Sequence, residues 1–106
     1  MREYPAKITE KALRDMDGIY EYIAVNLQSP ENAMRQYNRI ADNVLGLGFF
    51  PEKFRLVDFE PERSKGLRRM LVDNYSVFYV FEEEIVTVTR VLYSASDIER
   101  RLKEDK

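Results

Sequence analysis

Four cations, Arg63, Lys65, Arg68 and Arg69, fall between Arg63 and Met70 with no acidic residue among them. A patch of this kind draws an anionic partner, phosphate or carboxylate, although such a run also serves simply as the solvated face of a loop. Three consecutive glutamates, Glu82 to Glu84, form the opposite pole. The rest of the chemical inventory is short, because neither cysteine nor histidine occurs in the 106 residues. Disulfides, a thiolate nucleophile, a zinc site built on Cys or His, an imidazole base and a Ser-His-Asp triad are therefore excluded. Any reaction here has to run on Arg, Lys, Tyr and carboxylates, and no cofactor or metal is expected.

Seventeen basic against nineteen acidic residues leave a net charge of −2, so the chain as a whole lacks the basic excess of a dedicated nucleic-acid binder. With 44% hydrophobic and 12% aromatic residues it has the composition of a folded domain rather than a disordered chain. No apolar run approaches the roughly 20 residues that cross a bilayer. The opening residues Met1 to Pro5 lack the apolar stretch of a secretory signal. A cytoplasmic protein with no membrane partner is the expectation. No repeat or Ser/Gly linker divides the chain, so residues 1–106 read as a single domain.

The elements that must position these residues follow from periodicity. A short strand is expected around Tyr4, Ala6 and Ile8, with Thr9 as the N-cap of a helix. Leu13, Met16, Tyr20, Ile23 and Leu27 recur at helical spacing and predict its buried face, with the end near Asn26. Ser29-Pro30-Glu31 starts a second helix: Ser at the cap, Pro where its missing N–H costs nothing, and a carboxylate near the positive end of the dipole. Ala33, Tyr37, Ile40, Val44 and Leu47 then mark its apolar face, and so short a connection makes the pair an antiparallel αα-hairpin. Gly46, Gly48 and Pro51 end it.

From Pro51 to Ser64 the periodicity is lost, and a loop with a short strand at Phe54 to Asp58 is expected. Beyond Gly66 the period becomes two. Leu67 to Val72, Tyr75 to Phe81 and Ile85 to Val91 predict a three-stranded antiparallel meander. In its middle strand Phe78 and Val80 face one way, and Tyr75, Val77, Tyr79 and Phe81 the other. One face is expected to cover the helices and the Tyr-rich face to meet a partner, a substrate or the C-terminal segment. Val86, Val88, Arg90 and Leu92 read as one stripe of the last strand. A final short helix, capped by Ser96, carries only Ile98 and Leu102 as apolar contacts, so it is either loosely docked or ordered by a partner. The fold class is α+β: an antiparallel sheet packed against an αα-hairpin, in the order β-α-α-β-β-β with a short C-terminal helix.

That order, together with Gly66-Leu67-Arg68-Arg69, Val72-Asp73-Asn74-Tyr75-Ser76-Val77-Phe78-Tyr79 and Arg90-Val91-Leu92-Tyr93-Ser94-Ala95-Ser96-Asp97-Ile98, resembles the RelE/ParE superfamily of type II toxin-antitoxin toxins. The resemblance covers nearly the whole chain. It implies a small bacterial toxin, also described as a plasmid stabilisation protein, that inhibits growth and is silenced by a cognate antitoxin. Two activities occur on this fold: RelE-like members cleave mRNA on the ribosome, and ParE-like members poison DNA gyrase.

For the nuclease, the resemblance makes Arg68, Arg69, Arg90 and Tyr93 the catalytic candidates by position. Several features count against it. Ser76 stands where ribonucleolytic relatives often carry Arg. Tyr93 falls where many have His, and an ordinary phenol is a poor base at neutral pH. Ser94-Ala95-Ser96 contributes no cation. Arg90 also reads as a structural arginine whose stem covers apolar surface and whose fork pairs with a carboxylate such as Asp97. Tyr75 and Tyr93 read equally as half-buried aromatics. The balance favours a ParE-like inhibitor of gyrase over a ribosome-dependent mRNA nuclease, with a non-toxic antitoxin-binding module as the third reading. For the antitoxin, Arg63, Lys65, Arg69, Tyr75 and Tyr79 are the expected contacts, suited to an acidic amphipathic segment that folds on contact.

Overall fold

In the computed structural model, which describes residues 2–104, the chain enters the sheet at β1 (Ala6–Ile8). Thr9 then turns it into α1 (Glu10–Glu21), its hydroxyl accepting from the Ala12 N–H as the cap requires. A π-helical turn, Tyr22–Asn26, extends α1, and the Leu27 N–H reaches back five residues to the Tyr22 carbonyl. The hairpin closes into α2 (Pro30–Gly46) through Gln28 at φ 53°, with Pro30 in the first turn. The meander follows as β2 (Arg68–Val72), β3 (Tyr75–Glu82) and β4 (Ile85–Tyr93), and α3 (Ile98–Lys103) ends the described chain. No described helix is long and apolar enough to cross a membrane.

The sheet order is β1-β4-β3-β2. The three meander strands are antiparallel as expected, but β1 joins β4 in parallel, with Ala6 opposite Val86 and Ile8 opposite Val88. Parallel neighbours need a long crossover, and the helices with the first two meander strands supply it. The Glu83-Glu84 loop has φ of 54° and 64°, the left-handed pair that a two-residue hairpin turn demands.

Three layers result. On one face the sheet packs on the hairpin through Ala12, Met16, Ile40, Val44 and Leu47. Here the structure corrects the sequence reading, because the side of β3 that meets the helices is the Tyr-rich one: Val77 and Tyr79 are core, with Tyr75 and Phe81 against them. On the other face Phe78 and Leu92 are covered by Val57, Leu67 and Ile98, so α3 is docked rather than loose. Burying each of these large side chains contributes about 1.5–3 kcal/mol.

Local departures have local causes. Ala33, Ile40 and Val44 of α2 and Leu47 at its end are buried as predicted and Tyr37 is half-buried, but on α1 and its π turn the buried line is Ala12, Met16 and Ile23, while Leu13 and Leu27 are exposed. The extra residue of the π turn rotates Leu27 away from the helical row. In β4 the register slips opposite Phe78 and Tyr79, leaving Thr89 without a partner residue. Val86, Val88 and Val91 therefore share the helix side while Leu92 lies on the other, and the single stripe through Arg90 does not exist. The cap of α3 is Asp97, which accepts from the Arg100 N–H; Ser96 instead donates its hydroxyl to the Tyr93 carbonyl. The expected strand at Phe54 to Asp58 is reduced to one bridge, Leu56 to Arg68, on the outer side of β2.

Candidate functional site

Arg90 follows the bulge, at a point where β1 has ended, and its fork reaches α1. Nε donates to Asp15 Oδ2 at 2.7 Å and Nη2 to Oδ1 at 3.0 Å, while the Val91 N–H donates to the same Oδ2 at 2.9 Å. The two side chains are 9% and 13% exposed. A buried bidentate pair with the carboxylate further satisfied by backbone holds the guanidinium in place. The carboxylate is Asp15 rather than the expected Asp97, whose partner is Arg100. Sequence spacing contains no signal for this pair, which joins elements at opposite ends of the chain.

Arg68 and Arg69 lie on opposite faces of β2, as alternation requires. Arg68 Nη1 donates to the Phe54 carbonyl at 2.7 Å and the Glu52 carbonyl at 3.4 Å, and its Nη2 lies 3.7 Å from the Glu52 carboxylate. Beside it Tyr79 is fully buried and donates its hydroxyl to the Pro51 carbonyl at 2.8 Å. Burial pushes the Tyr79 phenol up, against a smaller opposing effect of Arg68. Arg68 and Tyr79 thus tie down the 51–54 loop. Tyr79, expected at the partner surface, has no surface to offer.

Arg69 Nε donates to Ser76 Oγ at 2.9 Å, and Ser76 Oγ lies 2.8 Å from Ser94 Oγ. The guanidinium stands 5.8 Å from the Phe78 ring centroid. Ser76 is fully buried, so the position without the relatives' Arg serves here as an anchor for Arg69. Arg69 and Arg63 line a common groove of about 490 Å³ between β2 and the 53–59 segment, joined by Lys53, Arg55 and Leu71. Arg63 Nη1 donates to the Val57 carbonyl at 3.1 Å. Lys65 is exposed and does not line the groove.

Tyr75 and Tyr93 are cross-strand neighbours in an edge-to-face contact, centroids 5.9 Å apart. They border a different groove, of about 650 Å³, with Tyr22, Leu27 and Arg101. Burial, then the neighbouring Tyr93 and Tyr22, push the Tyr75 phenol up, which keeps it protonated at neutral pH. The proposed site residues are therefore dispersed: Arg90 of β4 against Asp15 of α1, Arg68 under the loop, Arg69 and Arg63 beside the β2 edge, Tyr75 and Tyr93 at the end of the sheet. Among the described residues no acidic cluster suited to a metal ion occurs. Such an arrangement is suited to holding a partner surface, and Arg68, Arg69 and Arg90 do not line the groove that Tyr93 borders.

Comparison with known proteins accords with this architecture. The chain resembles in fold a chain of a structure described as the chromosomal ParDE toxin-antitoxin system from P. aeruginosa, at TM-score 0.72 and 23% identity, over 86% of this chain and 96% of that one. A structure of the RelBE2 toxin-antitoxin complex from Mycobacterium tuberculosis matches at TM-score 0.65 and 16% identity, over 86% and 98%. No curated protein matches in sequence. The family model for the ParE toxin of the parDE type II toxin-antitoxin system matches residues 6–98. With that match running from β1 to the start of α3, the chain belongs to the ParE toxin family within the RelE/ParE superfamily.

Proposed function

We propose that this toxin, held in check by a cognate antitoxin, stops growth by acting on DNA gyrase and so on replication. What carries the reading is the commitment of Arg90 to Asp15. Cleaving RNA through its 2′-hydroxyl needs a base, a cation for the phosphorane and an acid for the leaving oxygen, all within hydrogen-bond reach of one phosphate. Arg90 would be the central cation, yet its Nε and Nη2 are committed to Asp15 inside the fold. Arg68 is spent on backbone carbonyls. Tyr93 stands with Tyr75 at a separate groove, apart from Arg68, Arg69 and Arg90. A toxin that traps an enzyme needs only a shaped surface, which these groups, turned to structural use, leave available.

The test is controlled expression without antitoxin, with thymidine and methionine incorporation followed in the same culture over the first minutes. Early loss of thymidine incorporation with filamentation supports the gyrase reading. Early loss of methionine incorporation overturns it in favour of ribosome-dependent mRNA cleavage, with Arg68, Arg69, Arg90 and Tyr93 as the residues to substitute. Continued growth with both labels unaffected leaves a non-toxic antitoxin-binding module.

A further inference from the structure

Between Glu21 and Glu31 no charged residue occurs, in a chain that is 34% charged. This stretch is the tip of the helical hairpin, and it turns apolar side chains outward: Tyr22 is 53% exposed, Val25 64% and Leu27 56%. A solvated tip would carry charge; exposed aromatic and aliphatic groups in a charge-depleted surround have the composition of the centre of a protein interface. The tip is firmly held, since Ile23 is buried beneath it and the Ser29 N–H donates to the Ile23 carbonyl. By displacing Leu27 from the buried row, the π turn puts it with Tyr22 on the wall of the groove that Tyr75 and Tyr93 border. Single π turns recur at functional positions for this kind of reason.

The groove also states the chemistry of its occupant. The hydroxyls of Tyr22, Tyr75 and Tyr93 and the Arg101 guanidinium have no hydrogen-bond partner among the described residues. Of its other charged groups, Asp15 is taken by Arg90 and Arg14 by Glu10. One unpaired cation amid tyrosines and Leu27 suits an apolar protein segment that carries a carboxylate, and Tyr with Arg is the usual composition of energetic anchors. A nucleic acid needs a track of cations, which is absent here. A second copy would bring the same unpaired arginine and no free acid to a self-complementary contact. The cations that suit a strongly acidic peptide, Lys53, Arg55, Arg63 and Arg69, line the other groove. We propose that the hairpin tip and this groove, centred on Tyr22, Leu27, Tyr93 and Arg101, form the surface that docks on the target enzyme, receiving an apolar segment of gyrase with its carboxylate on Arg101. The identity of the target rests on the function proposed above.

The test is supercoiling of relaxed plasmid by purified gyrase of the host bacterium, titrated with the whole purified toxin. Leu27→Arg and Arg101→Glu are each expected to raise the toxin concentration that halves supercoiling by about tenfold or more, with urea midpoints close to wild type. Leu45→Arg, at an equally exposed leucine outside the groove, should leave it within about twofold. Inhibition by both groove variants at wild-type strength overturns the inference and leaves the proposed function standing. Wild-type toxin that never inhibits gyrase overturns the proposed function and the inference with it. Inhibition at wild-type strength accompanied by loss of antitoxin affinity in calorimetry assigns the groove to the antitoxin and overturns the inference. The same inhibition accompanied by loss of a dimer in gel filtration assigns it to a second copy, with the same consequence.

Discussion

Replacing Asp15 with alanine should be the costliest small change available outside the apolar core. The substitution leaves the Arg90 guanidinium, 9% exposed, facing an empty site, and takes away the acceptor of the Val91 N–H. Breaking a buried pair from one side costs about 3–5 kcal/mol, because the remaining charge keeps its desolvation penalty and loses its compensation. Domains of this size hold about 5–15 kcal/mol in total. A loss near 4 kcal/mol therefore lowers the thermal midpoint by about 15 °C or more. Urea titration followed by circular dichroism gives the number directly, and a double-substitution cycle gives the reason. Asp15→Leu combined with Arg90→Met removes both charges and refills the space, so it should be less damaging than the sum of the single changes by about 2 kcal/mol or more. A loss below about 1 kcal/mol for Asp15→Ala, or a coupling near zero, would refute the claim that this pair fixes α1 on β4.

Three further outcomes are expected. Tyr79→Phe should cost about 1 kcal/mol by stranding the Pro51 carbonyl, and Tyr79→Ala about 3–5 kcal/mol, while calorimetry on the folded Phe variant should find antitoxin affinity unchanged. Gly48→Ala sets a methyl group against the Tyr4 carbonyl oxygen, whose neighbouring N–H bonds to Gly48 itself, and should lower stability by about 1–3 kcal/mol in the same titration. Hydrogen bonds from Arg39 and then Gln36 hold the Asp73 carboxyl below its ordinary range. A carboxylate with a depressed folded pKa stabilises above its unfolded pKa and loses that contribution as pH falls through the folded value. The advantage of wild type over Asp73→Asn should thus be present at neutral pH and vanish on acidification below about pH 4.

The helices and strands were legible because each has one dominant period. Ala33, Ile40, Val44 and Leu47 read correctly as one buried line, and Thr9 and Pro30 mark real helix starts. What failed to read were the breaks in period. The π turn displaced Leu27, and the slip at Thr89 reassigned everything after it in β4. Which face of β3 would meet the helices was undecidable from alternation, since both faces offer aromatics; the Tyr-rich side was buried because Tyr79 finds the Pro51 carbonyl there. Of the site, Arg63 and Arg69 line one groove, while Lys65 and Tyr79 do not. Asp15 and Ser94 were missed, as their roles depend on partners far along the chain.

The parallel seam between β1 and β4 also sets when the toxin comes into being. Ala6 waits for Val86, so its strand has no neighbour until residue 86 and beyond have been synthesised. The Arg90 that fastens α1 is later still. A chain interrupted anywhere before β4 keeps the helical hairpin without the sheet strand that bonds β1 and anchors Asp15, and contacts of such long sequence separation form slowly. The folded sheet is thus assembled only after β4 has been made, and a chain that stops before Val86 lacks the strand that bonds β1.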